Sequence, residues 1–139
     1  AELIERLHIT YPQSAFYIVG APSDYEYANT IVSSTRIPVI NFCGQTSLVD
    51  LRALLMESDM FISVCTGAVH VASTTNVKTV VIYGCTTPVR WHPLNECYSV
   101  VYAGLDCSPC SIPAEACPEH KCMRSISVEQ VEKVIINMK

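Results

Sequence analysis

The sequence predicts an α/β fold: a Rossmann-like parallel sheet with helices on both faces, forming one domain over residues 1–139. Three observations carry this. Short apolar runs alternate with amphipathic segments along the chain. The runs are continuously apolar rather than alternating, as strands covered on both faces must be. Half of the residues are hydrophobic and only 16% are charged, which supplies a core and is the reverse of a disordered chain.

Each element follows from its pattern. Residues 2–10 predict a helix, with Leu3, Ile4, Leu7 and Ile9 apolar among Glu2, Glu5 and Arg6. Residues 15–19 are a short apolar run ending at Gly20, hence a strand. Ser23 is placed to cap a helix through about Ser33, with Asp24 and Glu26 in its first turn, where the helix dipole favours acids. Residues 38–42 predict the next strand. Ser47 and Asp50, three positions apart, form a near capping box for a helix carrying Leu48, Leu51, Leu54 and Leu55. Strand 60–64, a short helix from Gly67 to Thr75, and strands 79–83 and 98–102 follow. A cysteine-rich loop occupies 105–125, and Ser127 caps a final helix, 127–138, with Val128, Val131, Val134 and Ile135 on one face. The chain opens on a helix where such a domain normally opens on a strand, so it is expected to be an excised piece of a longer protein.

Charge and hydropathy narrow the function. A formal net charge of −4 argues against a nucleic-acid partner, since such domains are clearly basic. A single nucleotide held by backbone amides remains compatible. The chain shows neither a charged-then-apolar leader nor an apolar run of the ~18–20 residues that span a bilayer. The expected location is the cytoplasm, without a transmembrane segment.

The segment after strand 60–64 has the residue types of an anion site. In a doubly wound sheet, ligands bind at the carboxyl ends of strands. Here the strand runs into Cys65-Thr66-Gly67 and a helix begins at once. Gly67 lets the backbone approach a ligand, and the amides of Gly67, Ala68 and Val69 are expected to point outward at the helix start. The Thr66 hydroxyl and the His70 ring are further donors. A plain helix cap and a packed histidine are the bland alternatives. Asp24 reads as a helix-start acid and Thr46 as a simple lead-in to the next helix. Arg90 reads as a solvated surface charge or as a diphosphate contact, and Trp91 and His92 as residues free to face a cleft.

Four stretches taken in order resemble glycosyltransferase family 9, the ADP-heptose:lipopolysaccharide heptosyltransferases, in their C-terminal domain. They are YIVGAPSDYEYA, GQTSLVDLRALLMESDMFISVCTGAVHVAS, VKTVVIYGCTTPVRWHP and CSPCSIPAEACPEHKCMRSIS. The resemblance implies the donor half of an inverting GT-B glycosyltransferase in lipopolysaccharide core synthesis. Its donor would be ADP-heptose or another nucleotide-diphospho-sugar, held by Thr66, Gly67, Ala68, His70, Asp24 and Thr46. It implies no required cofactor or metal and no catalytic residue in this chain. The general base and the glycolipid acceptor would belong to an N-terminal domain, and the full-length protein would lie peripherally at the inner membrane. The chain departs from the family pattern at Cys65, where Asp is usual, at Cys85, where Pro is common, and at Thr87, where Asp is common. Cys65 opens an alternative, a nucleotide- or sugar-binding module without catalysis.

Eight cysteines exceed what a core of this size needs. Cys43, Cys65, Cys85 and Cys97 are scattered. The cluster Cys107-x2-Cys110-x6-Cys117-x4-Cys122, with His120 inside it, has a zinc-knuckle spacing. Structural zinc, disulfides and free buried thiols all stay open for it.

Overall fold

The computed structural model describes residues 1–110, 112, 116, 117 and 119–138. The elements run α1 (Glu2–Thr10), β1 (Phe16–Ile18), a 3₁₀ turn (Pro22–Asp24), α2 (Tyr25–Ser34), β2 (Val39–Asn41) and α3 (Leu48–Met56). There follow β3 (Met60–Val64), α4 (Gly67–Ala72), β4 (Lys78–Tyr83), α5 (Pro88–Trp91), β5 (Tyr98–Tyr102), α6 (Lys121–Arg124) and α7 (Val128–Asn137). The chain divides into two compact units, Ala1–Leu51 and Arg52–Lys139, and the division falls within α3.

Among the described residues every strand pairing is parallel, as the continuous apolar runs require, but the strands form two sheets. In the first unit β1 pairs with β2, Tyr17 opposite Ile40. In the second the order is β3-β4-β5, with Ile62 opposite Val80 and Val81 opposite Val100. On the central strand β4 the consecutive residues Val80 and Val81 are both fully buried. Successive side chains point to opposite faces, so both faces of β4 are covered. Helices α4 and α7 pack on this sheet. Val69 and Ala72 of α4, and Val131 and Ile135 of α7, are the buried positions, at three- and four-residue spacing.

The caps expected at Ser47 and Ser127 are formed. Ser47 N–H donates to Asp50 Oδ2 at 3.0 Å, and Asp50 N–H to Ser47 Oγ at 3.2 Å. Ser127 N–H donates to Gln130 Oε1 at 2.8 Å, and Gln130 N–H returns to Ser127 Oγ. Ser23 does not cap a helix. Pro22 begins a 3₁₀ turn, the Asp24 carboxylate closes it by accepting from Ala21 N–H at 2.8 Å, and the α-helix starts only at Tyr25. Helix α4 stops at Ala72 instead of Thr75. The hydroxyls of Ser73, Thr74 and Thr75 bond back to the carbonyls of His70, Val71 and Ala72, in competition with a further helical turn. The cysteine-rich segment carries the short helix α6; its residues 111, 113–115 and 118 lie outside the described ones.

Candidate functional site

Thr66, Gly67, Ala68 and His70 come together at the carboxyl end of β3. Cys65 N–H donates to the Ile82 carbonyl at 3.1 Å, which holds the loop to the sheet up to the start of α4. Thr66 takes the N-cap position in an extended conformation, and its side chain makes no cap hydrogen bond. Its hydroxyl lies 3.4 Å from that of Ser63 and is exposed. The first amides of a helix have no intrahelical acceptor, which leaves those of Gly67 and Ala68 as donors. Val69, expected to be a third, is not one: its N–H donates to the Thr66 carbonyl at 3.1 Å and closes the first turn. A Cβ placed on Gly67 would meet nothing within 4 Å, so the face of the loop is open.

His70 is half-buried and has a neighbour that sequence spacing did not disclose. Its ring lies 6.4 Å from the Trp91 ring, tilted by 60°, and the Arg90 guanidinium lies 5.2 Å from the centre of that indole. Arg90 therefore stacks rather than standing as an isolated surface charge. The one-turn helix α5 sets this row: Thr87 Oγ1 accepts from Val89 N–H at 3.2 Å, and Pro88 is preset for the first turn. His92 turns away, its ring 6.2 Å from Tyr98. The signal in the sequence was Thr87-Pro88, a cap followed by the residue favoured at a helix start.

Tyr83 fixes the row from below. It is completely buried and its hydroxyl donates to the Trp91 carbonyl at 2.9 Å. Burial chiefly, with the nearby Cys65 and Tyr98, pushes its pKa up to about 12. The folded state thus keeps a proton that the unfolded chain loses near pH 10. Stability should be intact below pH 10 and decline as pH rises towards 12, by roughly 2–3 kcal/mol. Urea unfolding at pH 9 and pH 12 should show this loss in the parent protein. Tyr83→Phe should remove that part of it, and an unchanged alkaline loss in the variant would rule Tyr83 out as its source.

Asp24 and Thr46 lie in the first unit, on the loops that follow β1 and β2. These loops are tied together: Gly44 N–H donates to the Gly20 carbonyl at 2.9 Å. The Asp24 carboxylate lies over Gly20, where an added Cβ would come within 2.8 Å of Oδ2. Its bond to Ala21 N–H realises the helix-start role directly. Beneath it, Cys43 is buried, and burial followed by the Asp24 charge raises its thiol pKa. Thr46 is half-buried beside the capping box of α3.

A cavity of about 440 Å³ opens beside the loop after β3 in the second unit. Val64, Cys65, Ile82, Gly84, Cys85 and Thr86 form its wall at the ends of β3 and β4, and residues between Cys107 and Met123 form the other wall. All eight cysteines are free thiols. Among the described residues no helix is long and apolar enough to cross a membrane.

Comparison with known proteins bears on the family and the fold. The sequence profile of glycosyltransferase family 9 (heptosyltransferase) matches residues 1–121. The chain is 34% identical over 104 residues to lipooligosaccharide heptosyltransferase 2 of Campylobacter jejuni subsp. jejuni serotype O:2, covering 73% of this chain and 32% of that protein. The serotype O:6 protein of the same name is 32% identical over 104 residues, with the same coverage. The chain thus spans about a third of these relatives, 32% of each. The structure of Escherichia coli ADP-heptose lps heptosyltransferase II superposes with a TM-score of 0.81 at 21% identity, over 99% of this chain and 39% of that one. A glycosyl transferase family 9 protein from Veillonella parvula gives a TM-score of 0.77 at 20% identity, over 94% of this chain and 38% of that one. The fold is that of these GT-B enzymes, and the chain belongs to glycosyltransferase family 9, the heptosyltransferases.

Proposed function

We propose that this chain is the donor-binding part of an inverting glycosyltransferase that takes a nucleotide-diphospho-sugar of the ADP-heptose type and acts in lipopolysaccharide core synthesis. The observation that carries the reading is the open loop at Thr66 and Gly67, at the carboxyl end of a parallel strand in a family 9 chain. The diphosphate gains negative charge as the sugar–oxygen bond breaks. Donors fixed at that position stabilise the transition state more than the ground state. The amides of Gly67 and Ala68, the Thr66 hydroxyl and the His70 ring fill that role without a metal. Asp24 and Thr46 serve the ribose and base. The acceptor glycolipid and the general base come from the rest of a longer, cytoplasmic protein lying peripherally on the inner membrane. By itself this chain binds donor and transfers nothing.

Cys65 favours a second reading, a binding module without turnover, because it stands where the family pattern has Asp. Calorimetric titration of the chain with ADP, together with a transfer assay on the full-length protein, separates the possibilities. Binding with transfer supports the enzyme, and binding alone supports the module. Absence of ADP binding to the folded chain would defeat both, and sugar transfer by this chain alone would overturn the division of roles.

A further inference from the structure

The His70 ring is half-buried, and among the described residues it makes no hydrogen bond. Packing alone therefore sets its direction. Its ring contact is the Trp91 indole, 6.4 Å away between centroids and tilted by 60°. Trp91 is itself firmly placed. Its N–H donates to the Thr87 carbonyl at 3.2 Å, and its carbonyl accepts from the buried Tyr83 hydroxyl at 2.9 Å. Both ties use the backbone, so they hold the Trp91 Cα whatever side chain it carries. The Arg90 guanidinium lies over the indole, 5.2 Å from its centre. The indole is nonetheless 43% exposed, so the core does not depend on it. A large aromatic side chain thus stands on a rigid, buried anchor, against a histidine that nothing else orients.

We propose that Trp91 is a positioning residue of the donor site: its indole holds the His70 ring in the orientation that reaches the diphosphate. The inference rests on the donor reading and adds to it a residue that acts through His70 and not on the donor. A histidine without a hydrogen-bond partner samples several staggered settings, and fixing one of them on binding costs affinity. The indole occupies the space that some of these settings need, so the ring is ordered before the ligand arrives. An aromatic pair of this kind changes a binding constant by about fivefold. The Arg90 guanidinium over the indole limits the indole's own rotation. Tyr83 and Thr87 hold the Trp91 backbone, and His70 sits on a different element, α4. Removing the indole therefore frees the His70 ring without moving the helix that carries it.

The test is a double-mutant cycle on the full chain, read by calorimetric titration with ADP. Trp91→Ala should weaken binding about fivefold in the parent and less than about twofold in a His70→Ala background, because the indole acts only through that ring. A merely structural role would cost affinity equally in both backgrounds. A weakening below about twofold in the parent, or of about twofold or more in His70→Ala, overturns the inference and leaves the donor reading in place. Absence of ADP binding to the folded parent defeats the donor reading, and the inference with it. Trp91 is the only tryptophan of the chain, so its indole N–H gives a single proton resonance. That signal should shift when the parent is saturated with ADP and stay in place in His70→Ala. An unshifted signal in the saturated parent overturns the inference, and so does one that moves as far in His70→Ala. This readout does not use Trp91→Ala, so it decides the matter even if that variant fails to fold.

Discussion

Gly67→Val is expected to weaken ADP binding by about a hundredfold or more, some 2.7 kcal/mol, with the fold unaffected. The two halves of this expectation have separate causes. For the fold, Gly67 is the first residue of α4, and a Cβ there meets no atom within 4 Å. Its backbone is outside the left-handed region, so an L residue fits, and valine is no worse a helix former than glycine. Thermal unfolding should shift by no more than the equivalent of about 1 kcal/mol. For the ligand, the same empty space is where a phosphate must sit to reach the amides of Gly67 and Ala68. A branched side chain stiff about its first bond fills it. Gly67→Ala should be intermediate in binding and slightly more stable than the parent. Calorimetry with ADP and a melting curve on the same samples check both halves. Undiminished affinity in folded Gly67→Val would place the diphosphate elsewhere.

The features behind this expectation differ in how plainly the sequence shows them. Residues 60–64 and 79–83 are apolar at nearly every position, so these strands and the loops that follow them are legible from local rules. Which amides stay free is not. Val69 drops out because the first turn closes on the Thr66 carbonyl, a matter of hydrogen-bond geometry that residue types do not encode. The same holds for Ser23. Its hydroxyl suits a cap, but Pro22 and the Asp24 carboxylate make a tighter turn first and displace the helix start.

Long-range neighbours are the least legible. Spacing groups Cys107, Cys110, Cys117 and Cys122 because they are close in sequence. The fold sets Cys110 against Cys85 through a backbone bond across the end of β4. In the same way, His70 and Trp91 are 21 positions apart and meet only because the loops after β3 and β4 end side by side. Periodicity shows which elements exist, and sheet order then decides which loops share a site.

Gly44→Ala should be the most damaging of the glycine changes to stability, costing about 2–4 kcal/mol and lowering the melting temperature by roughly 10 °C. Two penalties coincide at this position. Gly44 has φ of +72°, where an L residue with a Cβ is strained by about 1–2 kcal/mol. Its Cβ would also lie 2.8 Å from the Pro22 Cα, a backbone atom that cannot rotate aside. Gly104→Ala separates the two, for Gly104 has φ of +61° but its nearest neighbour is a Tyr102 ring carbon at 4.0 Å. That variant should lose only about 1 kcal/mol, the cost of the dihedral alone. In Gly44→Ala the loop must move away from Pro22, stretching the bond from Gly44 N–H to the Gly20 carbonyl and carrying Thr46 with it. Donor affinity should therefore fall along with stability in Gly44→Ala and hold in Gly104→Ala. Chemical denaturation gives the first comparison and ADP titration below the melting point the second. Equal stability losses in the two variants would show that contact with Pro22 contributes nothing beyond the dihedral.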